Sequence, residues 1–93
     1  MQLLYVPFTG SDGEGASVIL DGHTLYHEDD DKGYHNENFE AIEVAERLAK
    51  ALNTPMRTIE LNKEDLPEEW NFDDVERVAL EKAAAEEGKP ATV

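Results

Sequence analysis

Apolar positions along the chain fall into three short runs, a helical stripe, another short run and a second stripe. Gln2 to Thr9 is rich in Leu, Tyr, Val and Phe and predicts a strand. Pro7 cannot donate to a ladder, so this strand is expected at a sheet edge, or with Pro7 near its end or at a bulge. Gly10, Ser11, Asp12, Gly13, Glu14 and Gly15 read as a flexible turn before a second strand, Ala16 to Leu20. Asp21-Gly22 then separates two apolar runs. Both residues tolerate positive φ, so the pair predicts a tight hairpin into a third strand, His23 to His27. Period-two alternation places Leu25 opposite Thr24 and Tyr26.

The period changes after a polar connection, Glu28 to Asn36. Phe39, Ile42, Ala45, Leu48, Ala49 and Leu52 recur at three- and four-residue spacing. They predict the apolar face of a helix that starts at Asn36 or Asn38 and ends before Thr54-Pro55. Met56 to Leu61 reads as a fourth strand with Arg57, Ile59 and Leu61 on one side. Asn62 to Glu69 is an acidic loop broken by Pro67. A second helix begins at Asn71, whose cap is complemented by Asp74 three residues on, and carries the stripe Phe72, Val75, Val78, Ala79, Ala83. Gly88 and Pro90 close it.

The order β-β-β-α-β-α implies an α+β domain with an antiparallel or mixed sheet of about four strands and two helices, the longer packed on one sheet face. The fourth strand has two candidate pairings: antiparallel against the first, or parallel to the third through the helical crossover. Residues 1–88 are expected to form a single domain, with 89–93 as a frayed tail.

Composition qualifies this picture. Leu, Ile, Val and Phe supply 21 of 93 residues, about 23%, just above the roughly 20% below which highly charged chains stay disordered. A fold with a thin core is expected. Twenty-two acidic against eight basic side chains give a net charge of −14, which opposes direct binding to nucleic acid or anionic lipid and favours a cationic partner. No run approaches a membrane span and no secretory leader is visible, so the cytoplasm is the expected compartment. Cys is absent, which removes disulfides, Cys-based metal sites and Cys nucleophiles.

Motifs for chemistry are sparse. His23 and His27 on one strand face would stand about 13 Å apart, too far to chelate one ion, and read as surface histidines. Asp29, Asp31 and Glu40 share a spacing with calcium loops, but Tyr34 occupies the position that needs Gly, and Gly33 comes one place early. Gly10, Gly13 and Gly15 do not match a dinucleotide fingerprint, and neither Ser11 nor Ser17 lies on a nucleophile elbow. The chain is therefore expected to be no enzyme and to use no cofactor or bound metal.

Charge distribution is the informative feature. Glu64, Asp65, Glu68, Glu69, Asp73, Asp74 and Glu76 fall in one window without Lys or Arg, and Trp70 stands in its middle. Acids that steer an encounter around an aromatic anchor are what a partner-binding patch against a basic surface requires. Glu28, Asp29, Asp30, Asp31, Glu37 and Glu40 form a secondary acidic patch. In size and charge the chain resembles small acidic inhibitors from phages and mobile elements, of the anti-CRISPR or DNA-mimic type. That resemblance implies a non-catalytic inhibitor that occupies the nucleic-acid-binding surface of a basic protein such as a Cas effector. The alternatives are a small acidic adaptor or accessory domain, including one from a salty cytoplasm, and a weak metal-binding protein built on the His and Asp residues of the loop.

Overall fold

A computed structural model describes residues 1–10, 13–29 and 40–88. Its elements are β1 Leu3–Gly10, β2 Gly13–Leu20, β3 His23–Asp29, α1 Glu40–Leu52, β4 Met56–Thr58 and α2 Phe72–Gly88. They make an α+β fold with one mixed sheet in the order β3-β2-β1-β4. The helix starts at Asn36 or Asn38, Phe39, Ser11, Asp12 and the tail 89–93 lie outside the described residues.

The Asp21-Gly22 turn forms as its residues dictate. Both have positive φ, 48° and 86°, the combination that matches the right-handed twist of a two-residue hairpin. The β1–β2 hairpin is longer than expected. The register runs from Leu3↔Leu20 to Gly10↔Gly13, so Gly13 and Gly15 belong to a strand and not to a turn.

The fourth strand takes neither anticipated pairing. It lies parallel to β1, with Leu3↔Met56, Leu4↔Arg57 and Tyr5↔Thr58. The crossover through α1 does join parallel strands, but it carries β4 past β2 to the far side of β1. β1 is therefore an inner strand, and the edge position expected from Pro7 is corrected. Ile59 N donates to Tyr5 O (2.9 Å), Leu61 N to Pro7 O (3.0 Å) and Thr9 N to Leu61 O (3.0 Å). By the two-residue repeat of that ladder, the N–H that Pro7 lacks would have served the Ile59 carbonyl. The defect thus appears in the neighbour: β4 stops at Thr58, and pairing resumes only as the isolated bridge Phe8↔Leu61.

Alternation along β1 feeds both faces of the sheet. Leu4, Val6 and Phe8 join Ile19, Ile59, Leu61 and Leu66 beneath Val75, Ala79 and Ala83 of α2. Leu3 joins Ala16 and Val18 beneath Ala41 and Ala45 of α1, with Tyr5, Leu20, Tyr26, Val44 and Leu48 packed around them. The α1 interface is rotated from the expected stripe. Ala41, Val44, Ala45 and Leu48 face the sheet, while Ile42 and Leu52 stand exposed. Small alanines let the helix approach closely, and the larger Ile42 is left at the rim. The helix ends in a Schellman motif. Asn53 has φ 50°, Thr54 N donates to Ala49 O and Asn53 N to Lys50 O.

Ser17 is a local inconsistency in this packing. It is 1% exposed, and among the described residues its hydroxyl has no hydrogen-bond partner. A buried unsatisfied polar group costs about 1–3 kcal/mol. Ser17→Ala is therefore expected to raise unfolding free energy by roughly 1 kcal/mol with an unchanged urea m-value. A lowered midpoint would show that the hydroxyl is bonded in solution.

Candidate protein-binding surface

The surface is built around the start of α2. Asp74 N donates to Asn71 Oδ1 (2.9 Å), and Asn71 N donates to Asp74 Oδ2 (3.0 Å). This is the reciprocal capping box expected from the sequence. It fixes the entry of the chain into α2 and with it the two aromatic residues that flank Asn71. The Trp70 ring meets Phe8 edge-on at 4.8 Å and Phe72 at 5.5 Å between centroids. Phe8 and Phe72 are 6.0 Å apart, again edge to face. Phe72 carries His27 stacked on its other side at 3.8 Å. Trp70 thus closes one end of the core while keeping part of its surface in solvent. Gly10 makes this possible: a Cβ there would lie 2.2 Å from the indole Nε1.

The acids of this region separate into two groups. Glu64, Glu68, Glu69 and Asp73 are exposed on the loop and the first turn of α2. Asp65, Asp74 and Glu76 are half-buried and engaged within the chain. Asp65 accepts from Asn62 N (2.8 Å) and pairs with Lys82 (3.5 Å). Lys82 also donates to the Glu60 carbonyl (2.8 Å), tying the acidic loop to α2. Asp74 adds an ion pair with Arg77 (3.2 Å) to its capping bonds. Glu76 accepts from both Thr24 N (2.8 Å) and Thr24 Oγ1 (2.7 Å) on β3. Exposed ion pairs of this kind contribute at most about 1 kcal/mol each, so capping and the Glu76 bonds matter more to the fold than the salt bridges do.

The secondary patch is only partly described. Asp30, Asp31 and Glu37 lie outside the described residues, as does the side chain of Asp29. Glu28 is a β3 residue and not a loop residue. Its carboxylate accepts from Ala41 N (2.5 Å), placing a negative charge on the N-terminus of α1, where the helix dipole favours it. Glu40 is exposed and hydrogen-bonded to the Tyr26 phenol. Burial, then the Glu28 and Glu40 charges and that hydrogen bond, raise the Tyr26 pKa above its ordinary value. Burial and Glu28 raise that of Tyr5.

The two histidines do not share a face. The β2–β3 register slips between Val18 and Ile19, so that Val18 opposes Tyr26 while Ile19 opposes Thr24. Leu25 is the extra residue of this bulge and is 53% exposed. The bulge reverses the alternation on either side of itself. His27 therefore stacks on Phe72 beneath α2, whereas His23 pairs with Leu20, whose side chain packs on the α1 side. His35 lies outside the described residues. Among the described residues, no three His, Cys, Asp or Glu side chains converge as metal ligands, and no helix is long and apolar enough to cross a membrane.

Two structural acids escaped the sequence pattern. Glu28 sits in a run of four carboxylates and carries no local sign of a cap thirteen residues ahead. Glu76 did leave a signal: it lies four residues after Phe72, inside the stripe that faces the sheet. No protein-family model, no curated protein and no solved structure matches this chain.

Proposed function

We propose that this protein is a non-catalytic acidic ligand for a basic, nucleic-acid-binding surface of another protein, which it occupies and blocks. The observation that carries the proposal is the segregation of the acids around Trp70. Asp65, Asp74 and Glu76 are engaged within the chain, while Glu64, Glu69 and Asp73 face solvent beside a part-exposed indole. No Lys or Arg stands between Lys63 and Arg77 to neutralise them. Carboxylates so displayed match the Lys and Arg side chains that otherwise neutralise phosphates. The indole supplies the apolar contact that a purely charged surface lacks.

The test is recovery of partners from the source-cell lysate at low salt, followed by competition. A captured protein should lose affinity for this chain at least about tenfold between roughly 50 and 200 mM salt. Its own binding to labelled duplex DNA or RNA should be displaced by stoichiometric amounts of the chain. Affinity that is flat with salt, or a partner that holds chain and nucleic acid together, would refute the proposal. The second outcome points instead to an adaptor.

A further inference from the structure

β3 ends the sheet on the side away from β4. An edge strand offers donors and acceptors to any further strand, including the same strand of a second copy. Two features of this edge are unusual. The Leu25 bulge breaks its register in the middle. One residue earlier, the Thr24 N–H donates to Glu76 Oε1 at 2.8 Å, and the same oxygen accepts from Thr24 Oγ1 at 2.7 Å.

Glu76 reaches this position because of where α2 lies. Phe72 and Glu76 are one helical turn apart, and they meet His27 and Thr24 of β3 in turn. Further along, Lys82 reaches the Glu60 carbonyl and Glu86 pairs with Arg57 of β4 at 3.6 Å. The helix therefore runs across the sheet from the β3 side to the β4 side, and its first turns are stationed at the β3 edge.

We propose that Glu76 is an edge guard: by holding the Thr24 donor it denies a second copy of this chain the hydrogen bond with which β3 would pair to β3. The role depends on reach and acceptor geometry, not on net charge. It is independent of the partner-binding surface, whose exposed acids make none of these bonds.

The test separates guarding from plain electrostatic repulsion. Glu76→Asp keeps the charge but shortens the arm by one methylene, so it is expected to release Thr24. Glu76→Gln removes the charge but keeps an acceptor at full length. Sedimentation velocity from micromolar to millimolar protein should show wild type and Glu76→Gln as single copies and Glu76→Asp shifting to two copies per particle. Adding Leu25→Lys to Glu76→Asp, which places a charge on the edge, should restore single copies. If charge repulsion alone keeps copies apart, Glu76→Gln associates and Glu76→Asp does not, which overturns the proposal. So does a wild type that already dimerises through β3.

A measurement on the unmodified chain covers the case in which the variants do not fold. The Thr24 amide should exchange with deuterium at least about tenfold more slowly than the Gly22 amide of the adjacent turn. Equal exchange at the two sites means that Glu76 does not hold the edge, and the proposal fails.

Discussion

Phe8→Ala is expected to remove about 3–5 kcal/mol of stability. A domain of this size commands roughly 5–14 kcal/mol in total, so at the lower end of that range the variant should be close to half-unfolded at ambient temperature. Phe8 is 3% exposed and holds Trp70 and Phe72 through edge-to-face contacts. Its loss would open a cavity where β1, the acidic loop and the start of α2 meet. Neighbours cannot collapse into the space easily, because Trp70 is already seated against Gly10. The single tryptophan makes the measurement direct. Urea unfolding followed by indole fluorescence should show the loss in full, while Phe8→Leu, which keeps most of the volume, should cost less than about 1.5 kcal/mol. A Phe8→Ala cost as small as that of Phe8→Leu would mean that the aromatic corner is not packed as described.

The second large effect is on binding. Reversing Glu64, Glu69 and Asp73 to Lys together should abolish capture of the basic partner, by at least about a hundredfold in affinity, through lost steering and new like-charge repulsion. The fold should tolerate the change. All three residues are exposed, and the main penalty is a Lys near the positive end of α2, about 0.3–1 kcal/mol. Relief of the −14 self-repulsion works in the opposite direction. Asp65, Asp74 and Glu76 are left in place because each makes hydrogen bonds that the fold uses. Thermal unfolding and partner titration on the same sample decide the matter. Unchanged affinity in a folded triple variant removes this surface from the interface, and a melted variant would show that the loop acids are structural.

Local chemistry was legible in the sequence wherever it acts between near neighbours. Asp21-Gly22 fixed a hairpin, Asn71 and Asp74 fixed a cap, and the period of Val75, Ala79 and Ala83 fixed the buried face of α2. What escaped depends on contacts between distant residues. Pro7 correctly signalled a broken ladder, but the break falls on Ile59, fifty-two residues away, so the sequence misplaced it on the strand that carries the proline. The Leu25 bulge has no Gly or Pro to announce it, and it moved His23 and His27 to opposite faces. The rotation of α1 reflects alanines packing more closely than the branched side chains that dominate a hydrophobic pattern. For the candidate surface, the acidic window was visible as composition. Which of its members are tied down required the positions of Thr24, Lys82 and Arg77.

The path of α2 has a consequence for how the chain acquires its structure. β1, the earliest of the described elements in chain order, finds half of its cover in α2, the last of them. Until the ribosome has released residues through Ala83, the layer formed by Leu4, Val6, Phe8 and Ile19 remains wet. Such long sequence separations slow folding, and they leave a nascent intermediate with one greasy side uncovered for as long as translation of α2 takes.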